Sequence, residues 1–171
     1  MNSNPPKNKL TGDDVYLTPD YGVEPIVKYI PDYVKTIWCP CDLPSSEYVK
    51  VLTKHGYKVI SSHIDNGEDF LKYEPSEEYD MIITNPPYSL KTKMIRRCYE
   101  LGKPWALLLP LTALETMERG KMYKDNGLGL IVLNKRVAFI GASATNKGAW
   151  FNTSYFIHTP DLDGKIIFEE I

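Results

Sequence analysis

A chain of 171 residues with 43% hydrophobic and 25% charged side chains has material for one domain with a full core and too little for two. Its net charge of −2 argues against a broad electrostatic grip on nucleic acid. Its longest apolar run, Trp105 to Leu109 extended through Pro110 and Leu111, falls far short of a membrane span. The N-terminus, Met1 to Lys9, has no apolar stretch of the kind a signal peptide needs, so the expected location is the cytoplasm, with no membrane partner. Cys39, Cys41 and Cys98 form neither a disulfide framework nor a zinc spacing and read as buried reduced thiols. His55, His63 and His158 are scattered, and no metal is expected.

Residues 1–14 are polar and rich in Pro and Asn, which predicts a flexible N-terminal segment ahead of a single domain over 15–171. Thr18-Pro19-Asp20 reads as a start signal, and Glu24-Pro25 opens a short helix that runs to about Ile30. Thr36 to Cys39 reads as a buried strand, followed by the loop Pro40-Cys41-Asp42-Leu43-Pro44. Ser45 or Ser46 caps a helix with Tyr48, Val49 and Leu52 inward, stopping at Gly56. Tyr57 to Ser61 and Tyr79 to Thr84 are further strands. A helix from about Ser89 to Leu101-Gly102 has apolar Leu90, Met94, Ile95, Cys98 and Leu101 recurring at three and four. Trp105 to Leu109 has the continuous apolar character of a central parallel strand. A helix over 114–124, a strand over 128–133 and a short extended piece over 137–140 follow. The small polar stretch 141–149 reads as a loop. Trp150 to His158 and Lys165 to Phe168 read as strands suited to an antiparallel edge. Alternating strands and helices predict an α/β fold with a mostly parallel central sheet, an antiparallel C-terminal edge and helices on both faces.

The most informative residues are Asn85-Pro86-Pro87-Tyr88, which follow the apolar run Met81 to Thr84. Two successive prolines cannot continue a central strand, because neither donates an N–H and each fixes φ. The strand stops there, and in an open α/β sheet its carboxyl end is where ligands bind. This string suits methylation of an exocyclic aromatic amine, whose lone pair is delocalised into its ring. The Asn85 side-chain oxygen and the Pro86 carbonyl can each accept one N–H of such an amine and draw its nitrogen toward tetrahedral geometry. Pro87 holds that carbonyl in place, and the Tyr88 ring offers a face for stacking the base. Beside this turn, Lys91, Lys93, Arg96, Arg97 and Lys103, with Lys135-Arg136 further on, form either a phosphate-contacting edge or a solvated helix face.

On these residues the chain resembles the Rossmann-like methyltransferases that use S-adenosylmethionine, and within them the N6-adenine DNA methyltransferases. The Asn-Pro-Pro-Tyr string matches that family's catalytic motif, with Asn85, Pro86, Pro87 and Tyr88 as the catalytic set. The order of the Trp-Cys-Pro strand end, the Gly-Tyr-x-Val strand and the Asp-Phe pair is similar to that of small adenine methyltransferase-like proteins encoded by bacteriophages. The resemblance implies that Tyr16 and Thr18 touch the methionine end of the cofactor. It implies that Pro40 and Asp42, with Ser45 or Ser46, surround the amino acid group, and that His63 meets the ribose. It assigns Asp69 to the adenine amine and Phe70 to packing on its ring.

Two departures stand out. The loop after the first strand carries two prolines and none of the family's glycines. His63 sits where the family has an acidic residue. Two readings follow. One is an adenine-N6 methyltransferase acting on nucleic acid, DNA favoured over RNA, with 141–149 and the basic face as candidates for target contact; the resemblance also extends to Asn-Pro-Pro-Tyr enzymes that methylate a glutamine amide, a similar planar nitrogen. The other is a catalytically silent methyltransferase-fold protein that serves as a binding module or inhibitor of a host nucleic-acid-processing protein. An ordinary nucleotide-binding α/β protein is disfavoured, since no Gly-x-x-x-x-Gly-Lys phosphate loop is present.

Overall fold

The computed structural model describes residues 17–140 and 151–171, so the segment 1–14, Tyr16 and the loop 141–149 lie outside the described residues. Among the described residues four helices and seven strands follow in the order α1 (Asp20–Val27), β1 (Thr36–Pro40), α2 (Glu47–Lys54), β2 (Lys58–Ser62), β3 (Met81–Thr84), α3 (Lys91–Leu101), β4 (Trp105–Pro110), α4 (Met117–Asn126), β5 (Gly129–Leu133), β6 (Thr153–His158) and β7 (Ile166–Glu169). Single 3-10 turns occupy Ile64–Asn66, Tyr88–Leu90 and Leu111–Leu114.

The strands form one sheet in the order β2-β1-β3-β4-β6-β5-β7. Every pairing is parallel except those of β6, which runs antiparallel to both β4 and β5. The antiparallel strand of the C-terminal side is therefore internal. β7, expected from sequence to run antiparallel, lies at the edge parallel to β5. The turn after His158 reverses the chain, so β7 must oppose β6; its neighbour, however, is β5, which already opposes β6.

Alternation along the strands divides the core into two layers. Ile37, Cys39, Met81, Ile83, Ala106 and Leu108 face one layer with Val23 and Ile26 of α1 and Val51 and Leu52 of α2. Trp38, Ile82, Trp105, Leu107 and Leu109 face the other with Met94, Ile95 and Cys98 of α3. Trp105–Pro110 is buried at every position, as its continuous apolar run requires. α3 ends at Gly102, whose φ of 66° lets the chain leave the helix in the left-handed region. α1 starts at Asp20, ahead of Glu24, with the Asp20 carboxylate at the positive end of the helix dipole. The extended piece over 137–140 forms no strand, only an isolated bridge between Ile140 and Leu17. No described helix is long and apolar enough to cross a membrane.

Candidate active site

From β1 the chain turns outward to β2, then returns to place β3 on the opposite side of β1. The carboxyl ends of β1 and β3 thus flank the point where chain progression reverses, the position at which open α/β sheets leave a crevice. Two segments emerge there: Pro40-Cys41-Asp42 from β1 and Thr84-Asn85-Pro86-Pro87-Tyr88 from β3. They are laced together. The Thr84 hydroxyl reaches both the Pro40 carbonyl and Asp42 Oδ2, the latter at 2.7 Å, and the Asp42 N–H donates to the Ser62 carbonyl at the end of β2 at 3.0 Å.

A hydroxyl carries one proton, so Thr84 donates either to the charged Asp42 carboxylate or to the Pro40 carbonyl; in the second arrangement a protonated Asp42 can donate to Thr84 in turn. Burial pushes the Asp42 carboxyl up to about 7, against the pull of hydrogen bonds from Thr84 and Ser46. Ser46 is also the α2 N-cap, accepting from the Val49 N–H at 3.3 Å, so of the two serines expected to cap α2 it is the one that does so. Cys41, between Pro40 and Asp42, has φ of 72°. The loop without glycine therefore still adopts a glycine-like conformation, at a cost of about 1 kcal/mol for an L side chain.

Asn85 is half-buried and Pro86 buried, and the Pro87 carbonyl accepts the Leu90 N–H at 3.0 Å, closing the 3-10 turn that carries Tyr88. Lys91 Nζ donates to the Tyr88 carbonyl at 3.1 Å. The Tyr88 ring is 8% exposed. Edge contacts from Phe139, at 6.4 Å and 76°, and Phe151, at 5.5 Å and 74°, cover it. The ring expected to offer an open stacking face is thus covered in this structure. Sequence reasoning missed Phe139 and Phe151, which lie far downstream of the string and carry no local signal.

Thr18 is buried just ahead of α1, and its Oγ1 has no hydrogen-bond partner among the described residues. His63 follows β2 with Nδ1 accepting the Asp65 N–H at 3.2 Å, so the proton of the neutral ring sits on Nε2 and can be donated. Asp69 Oδ1 accepts the Leu71 N–H at 3.1 Å, and Phe70, 3% exposed, packs on Trp38 with ring centroids 5.1 Å apart. Phe70 therefore belongs to the core layer beneath the crevice and presents almost no ring surface for packing on a ligand. Asp42, Thr84, Asn85 and Pro86 gather at the ends of β1 and β3, Asp69 lies close enough to Cys41 to raise its thiol, and His63 stands at the end of β2. Surface concavities of about 400 and 480 Å³ lie elsewhere, one lined by Lys28, Tyr33 and Thr159, the other by Tyr21, Glu24 and Glu169.

The basic face is largely matched by acids. Arg96 pairs with Glu118, Arg97 with Glu74 at 3.8 Å and Lys103 with Glu78 at 4.0 Å, while Lys93 is exposed. Burial raises the Cys39 and Cys41 thiols well above the ordinary range, and all three cysteines are unbridged.

No family model matches the chain, and no curated protein matches it in sequence. Solved structures of similar shape include a predicted O-methyltransferase from Agrobacterium tumefaciens, 14% identical with a TM-score of 0.49 over 82% of this chain and 80% of that one. They also include a release-factor-specific protein-(glutamine-N5) methyltransferase from Alicyclobacillus acidocaldarius, 17% identical with a TM-score of 0.43 over 89% of this chain and 99% of that one.

Proposed function

We propose that the chain transfers a methyl group from S-adenosylmethionine to the exocyclic N6 amine of adenine in nucleic acid, with DNA favoured over RNA. The observation that carries this reading is the position of Asn85-Pro86-Pro87-Tyr88 at the carboxyl end of β3, beside the buried acid that follows β1. The residues fit the cofactor best at its methionine end. An ammonium group is the natural counter-ion for Asp42, and Thr18 Oγ1 is a buried polar atom with no partner among the described residues. His63 Nε2–H is available to a ribose hydroxyl, and Asp69 to the adenine amine. S-adenosylmethionine supplies an electrophilic methyl on a good neutral leaving group. The chain's part is then positioning: Asn85 and the Pro86 carbonyl orient the target nitrogen, and Tyr88 holds the extruded base once Phe139 and Phe151 have yielded.

Calorimetric titration with S-adenosylmethionine, followed by methyl-transfer assays on DNA and RNA, tests the reading. Micromolar binding at one site is expected. Asn85→Ala should lower the methylation rate by about 10²-fold with cofactor binding unchanged. Tyr88→Ala should weaken base binding by about 1–3 kcal/mol. Full activity in the Asn85 variant would overturn the mechanism.

A second reading, the silent scaffold that binds a nucleic-acid-processing protein, draws on the covered Tyr88 ring and the buried Phe70. Failure to bind S-adenosylmethionine at millimolar concentration would select it.

A further inference from the structure

β7 is the outermost strand of the sheet, and among the described residues nothing pairs with its outer edge. The Leu130 N–H donates to the Lys165 carbonyl and the Asn134 N–H to the Glu169 carbonyl. Residues 165, 167 and 169 therefore turn their main-chain groups toward β5, and Ile166 and Phe168 turn theirs outward. The side chains of Ile166 and Phe168 share one face, in register with Leu130 and Val132, where the sheet extends beyond its helical cover. They are 66% and 79% exposed. An edge strand that is free of proline and apolar on its open face is a template for another strand.

We propose that this edge pairs with the same edge of a second copy, antiparallel about a two-fold axis through Ile167. The sequence is self-complementary in that register. Ile166 faces the second copy's Phe168 twice, as hydrogen-bonded pairs with four main-chain bonds in all. Ile167 meets Ile167 as the non-hydrogen-bonded pair on the axis. Lys165 stands opposite Glu169, whose carboxylate already holds Lys28 Nζ at 2.5 Å and the Tyr29 hydroxyl at 2.5 Å. The neighbouring registers are worse: centring on Ile166 sets Gly164 against Phe168, and centring on Phe168 sets Glu170 against Ile166. Opposed charge and matched apolar pairs therefore favour a copy of this chain over an unrelated peptide. Because β7 runs parallel to β3 and β4 through β5 and β6, antiparallel pairing places the two candidate sites on opposite rims of a continuous 14-stranded sheet. Each site would work on its substrate alone.

The test is the solution mass of the full chain by light scattering at about 100 μM, a range that captures small interfaces. The expected mass is twice the 19.5 kDa of one chain. Ile166→Lys/Phe168→Lys sets like charges at both crossings and should give monomer with an unchanged far-ultraviolet spectrum. Ile166→Lys/Phe168→Glu sets opposite charges there and should restore the dimer. A monomeric native chain, a dimer that survives the Lys/Lys variant, a Lys/Glu variant that folds but stays monomeric, or growth beyond two copies would each overturn the proposal. A native monomer that instead captures an extended peptide would assign the edge to a different partner.

Discussion

Burial favours Asp42 as an acid over an anion, and this has a thermodynamic consequence. Its folded-state value, about 7, lies above the ordinary 3.8. Between about pH 4 and pH 7 the folded chain holds a proton that the unfolded chain has released, so stability falls as pH rises through that window and levels off above it. Asp42→Asn keeps a donor toward Thr84 and carries no charge. Its denaturation free energy should therefore gain on the native chain as pH rises from 4 to 8, by at most about 4 kcal/mol. Urea titrations across that range read the difference, and parallel curves would refute the protonated acid. An ammonium ligand beside Asp42 favours its charged form, so S-adenosylmethionine binding near pH 6 should release up to one proton, visible as a binding heat that changes with the buffer.

Three elements meet at a pair of buried tyrosines. The Tyr155 hydroxyl of β6 donates to the Gly22 carbonyl of α1 at 2.8 Å, and the Tyr48 hydroxyl of α2 lies 3.0 Å from the Tyr155 oxygen. Since the Tyr155 proton is spent on Gly22, Tyr48 is the donor to Tyr155. Tyr155→Phe removes a hydroxyl that donates to the Gly22 carbonyl and accepts from Tyr48, whereas Tyr48→Phe removes one donor only. The first should cost about 1–3 kcal/mol and the second about 1 kcal/mol, measured as shifts in urea midpoint; equal losses would contradict the proton order. Neither tyrosine stood out in the sequence beyond being apolar enough for the core. What local chemistry dictates was readable: the Pro-Pro stop after Thr84, a serine cap at Ser45 or Ser46, Gly102 at the end of α3, the buried run at Trp105. What depends on distant chain was not. Phe139 and Phe151 cover Tyr88 only because β5 and β6 bring them there, and Cys41 takes a left-handed conformation that no neighbouring residue announces. The parallel course of β7 follows from its choosing β5 as neighbour, which no local pattern encodes.

At the scale of the whole molecule, a net charge of −2 stands beside a cluster of lysines and arginines, and sequence alone leaves open whether that cluster meets phosphate or solvent. The structure adds a third circumstance, because carboxylates on neighbouring elements occupy the cluster: Glu118 on Arg96, Glu74 on Arg97, Glu78 on Lys103. These pairs are exposed or half-exposed, and such pairs stabilise a fold by at most about 1 kcal/mol, so phosphate can compete for the cations. Competition has a signature in salt. Each phosphate neutralised by a protein cation contributes about −0.9 to the slope of log affinity against log salt on duplex DNA. Glu74→Gln/Glu118→Gln releases Arg96 and Arg97 without disturbing the strand ends, and should strengthen duplex binding and steepen the slope by about 1–2. Fluorescence anisotropy between about 50 and 200 mM salt measures both quantities. A slope unchanged in the double variant would mean that the α3 face points away from nucleic acid, and that substrate reaches the Asn85 site from the side of Phe139 and Phe151.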